Sequence, residues 1–123
     1  MNAMIFGGGK IARGFIGHLL SRSGFHITYV ELNEELVRSL NQCGKYYVNV
    51  MGNPDACQWV TDFDCISLRD VPAIAKALVK ADIVFMAVGG KNLDSLAATI
   101  ADAYKLAEPE LGTRERTIIT CEN

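Results

Sequence analysis

The chain has no paired C-x-x-C motif, few histidines, no long apolar run and no surplus of positive charge. Each shortage removes a class of function. Its four cysteines, Cys43, Cys57, Cys65 and Cys121, are irregularly spaced, and only His18 and His26 could join them on a metal. No metal site is expected, and the histidines read as ordinary structural positions. Sparse, unpatterned cysteine points to free thiols in a reducing cytoplasm. A formal net charge of −2 supplies no basic field for nucleic acid or anionic lipid. No apolar stretch approaches the ~20 residues of a membrane span. The N-terminus enters an apolar strand without a basic segment and cleavage site, so no signal peptide is expected.

What remains is an ordinary globular composition, 50% hydrophobic and 21% charged, over 123 residues. That length fits one domain with one hydrophobic core. Apolar periodicity then divides it into alternating strands and helices. Met4-Ile5-Phe6 is a buried run that stops at Gly7-Gly8-Gly9. Ile11, Phe15, Leu19 and Leu20 recur at helical spacing until Ser23-Gly24. His26 to Glu31 reads as a second strand. Asn33 caps a helix with Glu34 and Glu35 in its first turn, where the helix dipole favours acid. Leu36, Val37 and Leu40 supply its buried side.

Tyr46–Met51 and Cys57–Phe63 read as two strands joined through Gly52-Asn53-Pro54-Asp55, an antiparallel hairpin inserted in the alternation. Asp70 caps a third helix with Pro72 in its first turn, where the missing N–H costs nothing. Ile83–Val88 is a continuous apolar strand of the kind covered on both faces. Leu93, Leu96, Ala97, Ile100, Ala101 and Tyr104 mark a long helix, and Arg116–Cys121 a last strand. The order β-α-β-α-(β-hairpin)-α-β-α-β predicts an α/β fold with a doubly wound, mostly parallel sheet of Rossmann type. The chain stops just past that strand, at the edge where such sheets bind ligand, and a further domain is expected beyond residue 123.

Gly7-Gly8-Gly9-Lys10-Ile11-Ala12 has the form G-x-G-x-x-A, after a strand and opening a helix, as a dinucleotide fingerprint requires. Gly7 permits the tight turn. Gly9 lacks the Cβ that would block a pyrophosphate, and Ala12 lets helix and strand pack closely. Amides at the helix start then hold phosphate, assisted by the dipole. Glu31 stands at the end of the second strand, 19 residues after Ala12. A carboxylate there accepts hydrogen bonds from ribose hydroxyls, although the same residue is also an ordinary solvated strand-end acid. Leu32, Asn33, Glu34 and Glu35 follow it without a cation, which favours NAD over NADP. Val88-Gly89-Gly90 ends the buried strand at the switch point, as a cofactor floor or a simple turn. Arg13 could approach a phosphate or a second domain, or be a surface arginine.

Phe6-Gly7-Gly8-Gly9-Lys10-Ile11-Ala12-Arg13-Gly14-Phe15-Ile16-Gly17 resembles the opening of the mannitol dehydrogenase family, in particular its mannitol-1-phosphate 5-dehydrogenase branch. Ala87-Val88-Gly89 and Ile119-Thr120-Cys121-Glu122-Asn123 resemble it too, and the likeness covers all 123 residues. Ala12 departs from the glycine usual there, and Gly90-Lys91 also differs. The resemblance implies an NAD-binding domain at residues 1–123 of a polyol or sugar-phosphate dehydrogenase, with a helical C-terminal domain carrying a catalytic lysine. It implies that Asn123 contacts the reacting oxygen, although a strand-end turn former is the plainer role. The isolated domain is then expected to be inactive and to expose an apolar patch capable of self-association. A regulatory NAD-sensing domain of potassium transport systems has the same glycine loop and acidic strand end. The hairpin and the C-E-N ending fit it less well.

Overall fold

The computed structural model describes residues 1–121. Five strands form one parallel sheet: β1 (Asn2–Phe6), β2 (His26–Glu31), β5 (Phe63–Ser67), β6 (Ile83–Met86) and β7 (Thr117–Thr120), in the order β5-β2-β1-β6-β7. β3 (Tyr46–Val48) and β4 (Gln58–Val60) form a separate antiparallel pair. The order reverses on either side of β1, so the carboxyl ends of β1 and β6 part at the switch point.

Helices cover both faces. A helix starting at Lys10 passes through a π turn at Ala12–Ile16 and continues as α1 (Gly17–Arg22). α2 is Glu34–Cys43, α3 Val71–Lys80 and α4 Leu93–Leu111. The pleat of β1 divides the core. Met4 and Phe6 join Ile74, Leu78, Leu96 and Ala103 under α3 and α4. Ile5 joins Ala12, Ile16, Ile27, Tyr29 and Leu40 under α1 and α2. Both faces of β1 are therefore dry, which its unbroken apolar run allows.

Local signals operate as their chemistry requires. The Asn33 side chain accepts from the Glu35 and Leu36 amides, and Asp70 from the Ala73 amide. Gly24 and Gly44 take the left-handed conformation just past α1 and α2.

Three expectations change. First, Phe63–Ser67 is a strand of the main sheet, pairing in parallel with β2 from Ile27↔Phe63 to Glu31↔Ser67. Only Thr61-Asp62 separates β4 from β5, without a glycine or proline break, so in sequence Phe63 runs on from the hairpin. Second, several strands are shorter than their apolar runs, with β3 ending at Val48 and β6 at Met86. Third, the buried stripe of the first helix is not Ile11, Phe15 and Leu19, which are 69%, 62% and 50% exposed. Ala12 and Ile16, one position along, face the sheet instead. Two adjacent apolar stripes run along this helix, and packing selects the one with the smaller residue.

Small residues set that packing. A Cβ on Gly17 would lie 2.0 Å from the Tyr29 hydroxyl and 2.8 Å from that of Tyr46. The helix can lie this close to β2 only with glycine there. His18, also on the buried side, shares a 2.9 Å hydrogen bond with the Ala56 carbonyl and ties the hairpin connection to α1. On the hairpin's outer face Tyr47 and Trp59 pair across the strands with ring centroids 5.3 Å apart. Among the described residues no helix is long and apolar enough to cross a membrane.

Candidate cofactor site

The site begins where β1 stops. Gly7 has φ of +104°, and its amide donates to the Val30 carbonyl at 2.7 Å. A Cβ here would sit 2.4 Å from the Ala87 carbonyl oxygen. Both the left-handed backbone and the approach of the β6 end require glycine. Gly9 differs, because nothing lies within 4 Å of its Cβ position. No protein atom demands glycine there, while a Cβ would project into open space at the head of the helix. This is the room a phosphate needs against a first helical turn, whose amides have no partner four residues back.

Gly8 is held from the side. Its amide donates to Glu31 Oε2 at 2.5 Å, and Glu31 Oε1 accepts from the Asn33 amide at 3.0 Å. The carboxylate thus ties the end of β2 to the glycine turn, with acceptor capacity left on both oxygens. Ala12 is buried among Ile5, Ile27 and Tyr29. Lys10 and Ile11 are exposed in the first helical turn.

Gly7, Gly9, Glu31, Val88 and Gly89 line one cleft of about 280 Å³ at the carboxyl ends of β1, β2 and β6. The fold thus brings together Gly7 and Gly9 of the turn, the acidic strand end and the small residues after β6, whereas Gly8, Lys10, Ile11 and Ala12 stay off the cleft wall. Val30, Leu32, Leu68, Ala87, Asn92, Ser95 and Leu96 complete the walls, and the sequence motifs assign none of them to the site. Leu68 follows the unrecognised strand β5, and recognising that strand would have supplied it. Asn123 lies outside the described residues.

One electrostatic expectation needs correction. Sequence proximity puts only acids beside Glu31, but Arg69, from the loop after β5, reaches Glu34 at 3.0 Å. A cation is therefore close, yet it is engaged. Hydrogen bonds from Ser67 and Arg69 hold the Glu34 carboxyl below its usual range. Arg38 also acts on Glu34, so the acids Glu31 and Glu34 share this end of β2 with two arginines.

All four thiols are unpaired. Burial first, and then the nearby Glu31 charge, push Cys65 up to about 12, so it stays a neutral thiol beneath the sheet end. Among the described residues no three His, Cys, Asp or Glu side chains converge on a point that could hold a metal.

The family described as mannitol dehydrogenase Rossmann domain matches residues 1–123. A mannitol-1-phosphate 5-dehydrogenase of Thermoanaerobacter pseudethanolicus is 35% identical over 123 residues, 100% of this chain and 31% of that protein. The enzyme of the same name from Lactiplantibacillus plantarum is 38% identical over 119 residues, 96% of this chain and 31% of its own length. The chain thus spans about a third of the curated relatives it matches. Among solved structures, a Rossmann-fold NAD(P)-binding family protein from Shigella flexneri superposes with a TM-score of 0.54 at 21% identity, over 94% of this chain and 49% of that one. A saccharopine dehydrogenase (L-Glu forming) from Saccharomyces cerevisiae gives 0.52 at 14% identity, over 97% and 26%. These two likenesses concern the fold.

Proposed function

This chain belongs to the mannitol dehydrogenase Rossmann domain family, and from that premise we propose that residues 1–123 are the NAD-binding domain of a polyol or sugar-phosphate dehydrogenase. The observation that carries the reading is the cleft that sets open Gly9 and the Glu31 carboxylate at the switch point. Glu31 accepts the adenosine ribose hydroxyls. The amides of Gly9, Lys10 and Ile11 hold the pyrophosphate, and Gly7 and Ala12 set the turn and the helix that present them. Val88 and Gly89 form the floor under the rest of the dinucleotide. The Glu31 carboxylate, which a ribose 2′-phosphate would have to approach, selects NAD over NADP.

NAD, when bound, supplies the hydride acceptor for a sugar-alcohol carbon. This chain's residues bind and orient it. Asn123, assigned on family resemblance alone, donates to the reacting oxygen and steadies its developing charge. The proton-transfer group and most substrate contacts belong to the longer remainder that the relatives carry, so the 123-residue chain alone turns over no substrate. The exposed stripe Ile11, Phe15 and Leu19 suits burial against that remainder. A cytoplasmic location goes with four free thiols. No observation favours the reading as a regulatory domain of a potassium transport system.

Calorimetric titration of the chain with NAD and NADP tests the proposal. NAD is expected to bind, and NADP at least tenfold more weakly. Binding of neither, or tighter binding of NADP, overturns it.

A further inference from the structure

Arg13 leaves the first helix beside the glycine turn, and three contacts fix it. Its Nε donates to the Gly8 carbonyl at 2.7 Å. Its guanidinium lies 6.0 Å from the centroid of the Tyr46 ring, within cation–π range. Its own carbonyl accepts from the Tyr46 hydroxyl at 3.2 Å. Tyr46 is fixed in turn, because its hydroxyl shares a 2.5 Å hydrogen bond with that of Tyr29, which is fully buried on β2. The first hairpin strand therefore grips the arginine at both ends, and the arginine grips the turn.

The peptide linking Gly8 to Gly9 is planar and trans, so its C=O and N–H point in opposite directions. A carbonyl drawn to Arg13 directs the Gly9 N–H away from Arg13. Gly9 borders the cofactor cleft. Three consecutive glycines have the least intrinsic preference for any one arrangement, so an external hold on this peptide decides which way the amide faces. We propose that Arg13, braced by Tyr46, is a positioning residue that aims the Gly9 amide at the dinucleotide pyrophosphate. The inserted hairpin thereby acquires a part in cofactor binding. The inference rests on the cofactor reading above, and it makes no use of the arginine's charge as a direct phosphate partner.

The experiment uses the full 123-residue chain, labelled with 15N, and three ligands: NAD, ADP-ribose and adenosine, the last without a pyrophosphate. Wild type, Arg13→Met and Arg13→Lys are titrated by amide shifts. Arg13→Met is expected to weaken NAD and ADP-ribose about tenfold, leave adenosine unchanged and move the free Gly9 amide resonance. Arg13→Lys keeps the charge but loses the Nε–H donor, and its loss should be similar. Tyr46→Phe, which removes only the brace, should show the same selectivity with a smaller loss. Full recovery with lysine, unchanged affinity in the methionine variant, or an equal loss for adenosine would each overturn the proposal. If wild type binds no NAD, the cofactor reading fails, and the Gly9 resonance still decides this one: a shift in Arg13→Met supports the hold on the turn, and an unmoved signal removes it. Should Arg13→Met unfold, the lysine and phenylalanine variants decide it by the same criteria.

Discussion

The Glu31 carboxylate hydrogen-bonds the Gly8 amide at 2.5 Å, across 23 positions of sequence. An acid at the end of β2 is thereby part of the glycine turn that follows β1. The same side chain sets the turn's shape and offers acceptors to a ribose. Replacing it has two separable consequences.

Glu31→Ala is expected to weaken NAD binding by about 1–3 kcal/mol, because two hydrogen bonds of roughly 0.5–1.5 kcal/mol each are lost. Glu31→Gln keeps an acceptor for Gly8 and should retain part of the affinity. Preference for NAD over NADP should narrow in both. Calorimetry on the three proteins measures this, and an unchanged NAD dissociation constant in the alanine variant would remove Glu31 from the site.

Gly7 and Gly9 should fail differently. Gly7→Ala must adopt φ near +104° and meet the Ala87 carbonyl, so it is expected to lower stability by about 2–4 kcal/mol. Gly9→Val meets no protein atom within 4 Å at its Cβ. It should fold normally and lose NAD binding. Thermal melts followed by circular dichroism, together with titration, separate the two. A stable Gly9→Val that still binds NAD would place the phosphate cradle elsewhere.

Stability should fall modestly as pH rises above about 6.5. Partial burial of His26 lowers its affinity for a proton, but hydrogen bonds to Asp62 at 2.7 Å and Asp64 at 3.1 Å outweigh that effect. Its pKa is raised above 6.5 in the folded chain. A raised folded pKa contributes stability that is complete below the unfolded value and lost as pH climbs through the folded one. The side chain keeps 39% of its surface open to solvent, so the effect is small. Tm measured across this window should decline in wild type and flatten in His26→Asn. Equal slopes in both proteins would contradict the assignment.

Phe15 is 62% exposed and lies between Ile11 and Leu19 on one helical stripe. An apolar face of this kind promotes association at high concentration. Sedimentation velocity should reveal self-association of wild type that Phe15→Ser reduces, with the melting temperature little changed. A wild type that stays monomeric at the concentrations used for NMR would show that the stripe does not self-associate.

The sequence by itself determined the features whose causes are local. Side-chain caps at Asn33 and Asp70 and left-handed stops at Gly24 and Gly44 each depend on a few neighbouring residues. Those residues are adjacent in the chain. The alternation of strand and helix, and with it the meeting of the glycine turn, Glu31 and Gly89 at the switch point, follows from those pieces plus the handedness of parallel crossovers. Tertiary structure alone decided the rest. Which of two apolar stripes on the first helix faces the sheet depended on how closely Gly17 lets that helix approach Tyr29. Phe63–Ser67 became a strand of the main sheet through its pairing with β2, a partner more than thirty positions away, since its own pattern is ambiguous. Arg69 came to Glu34, and Tyr46 to Arg13, by the same long-range route. Periodicity fixes that a segment has a buried side, but the choice of side and of partner is made by packing, whose energy depends on residues that the local sequence does not contain.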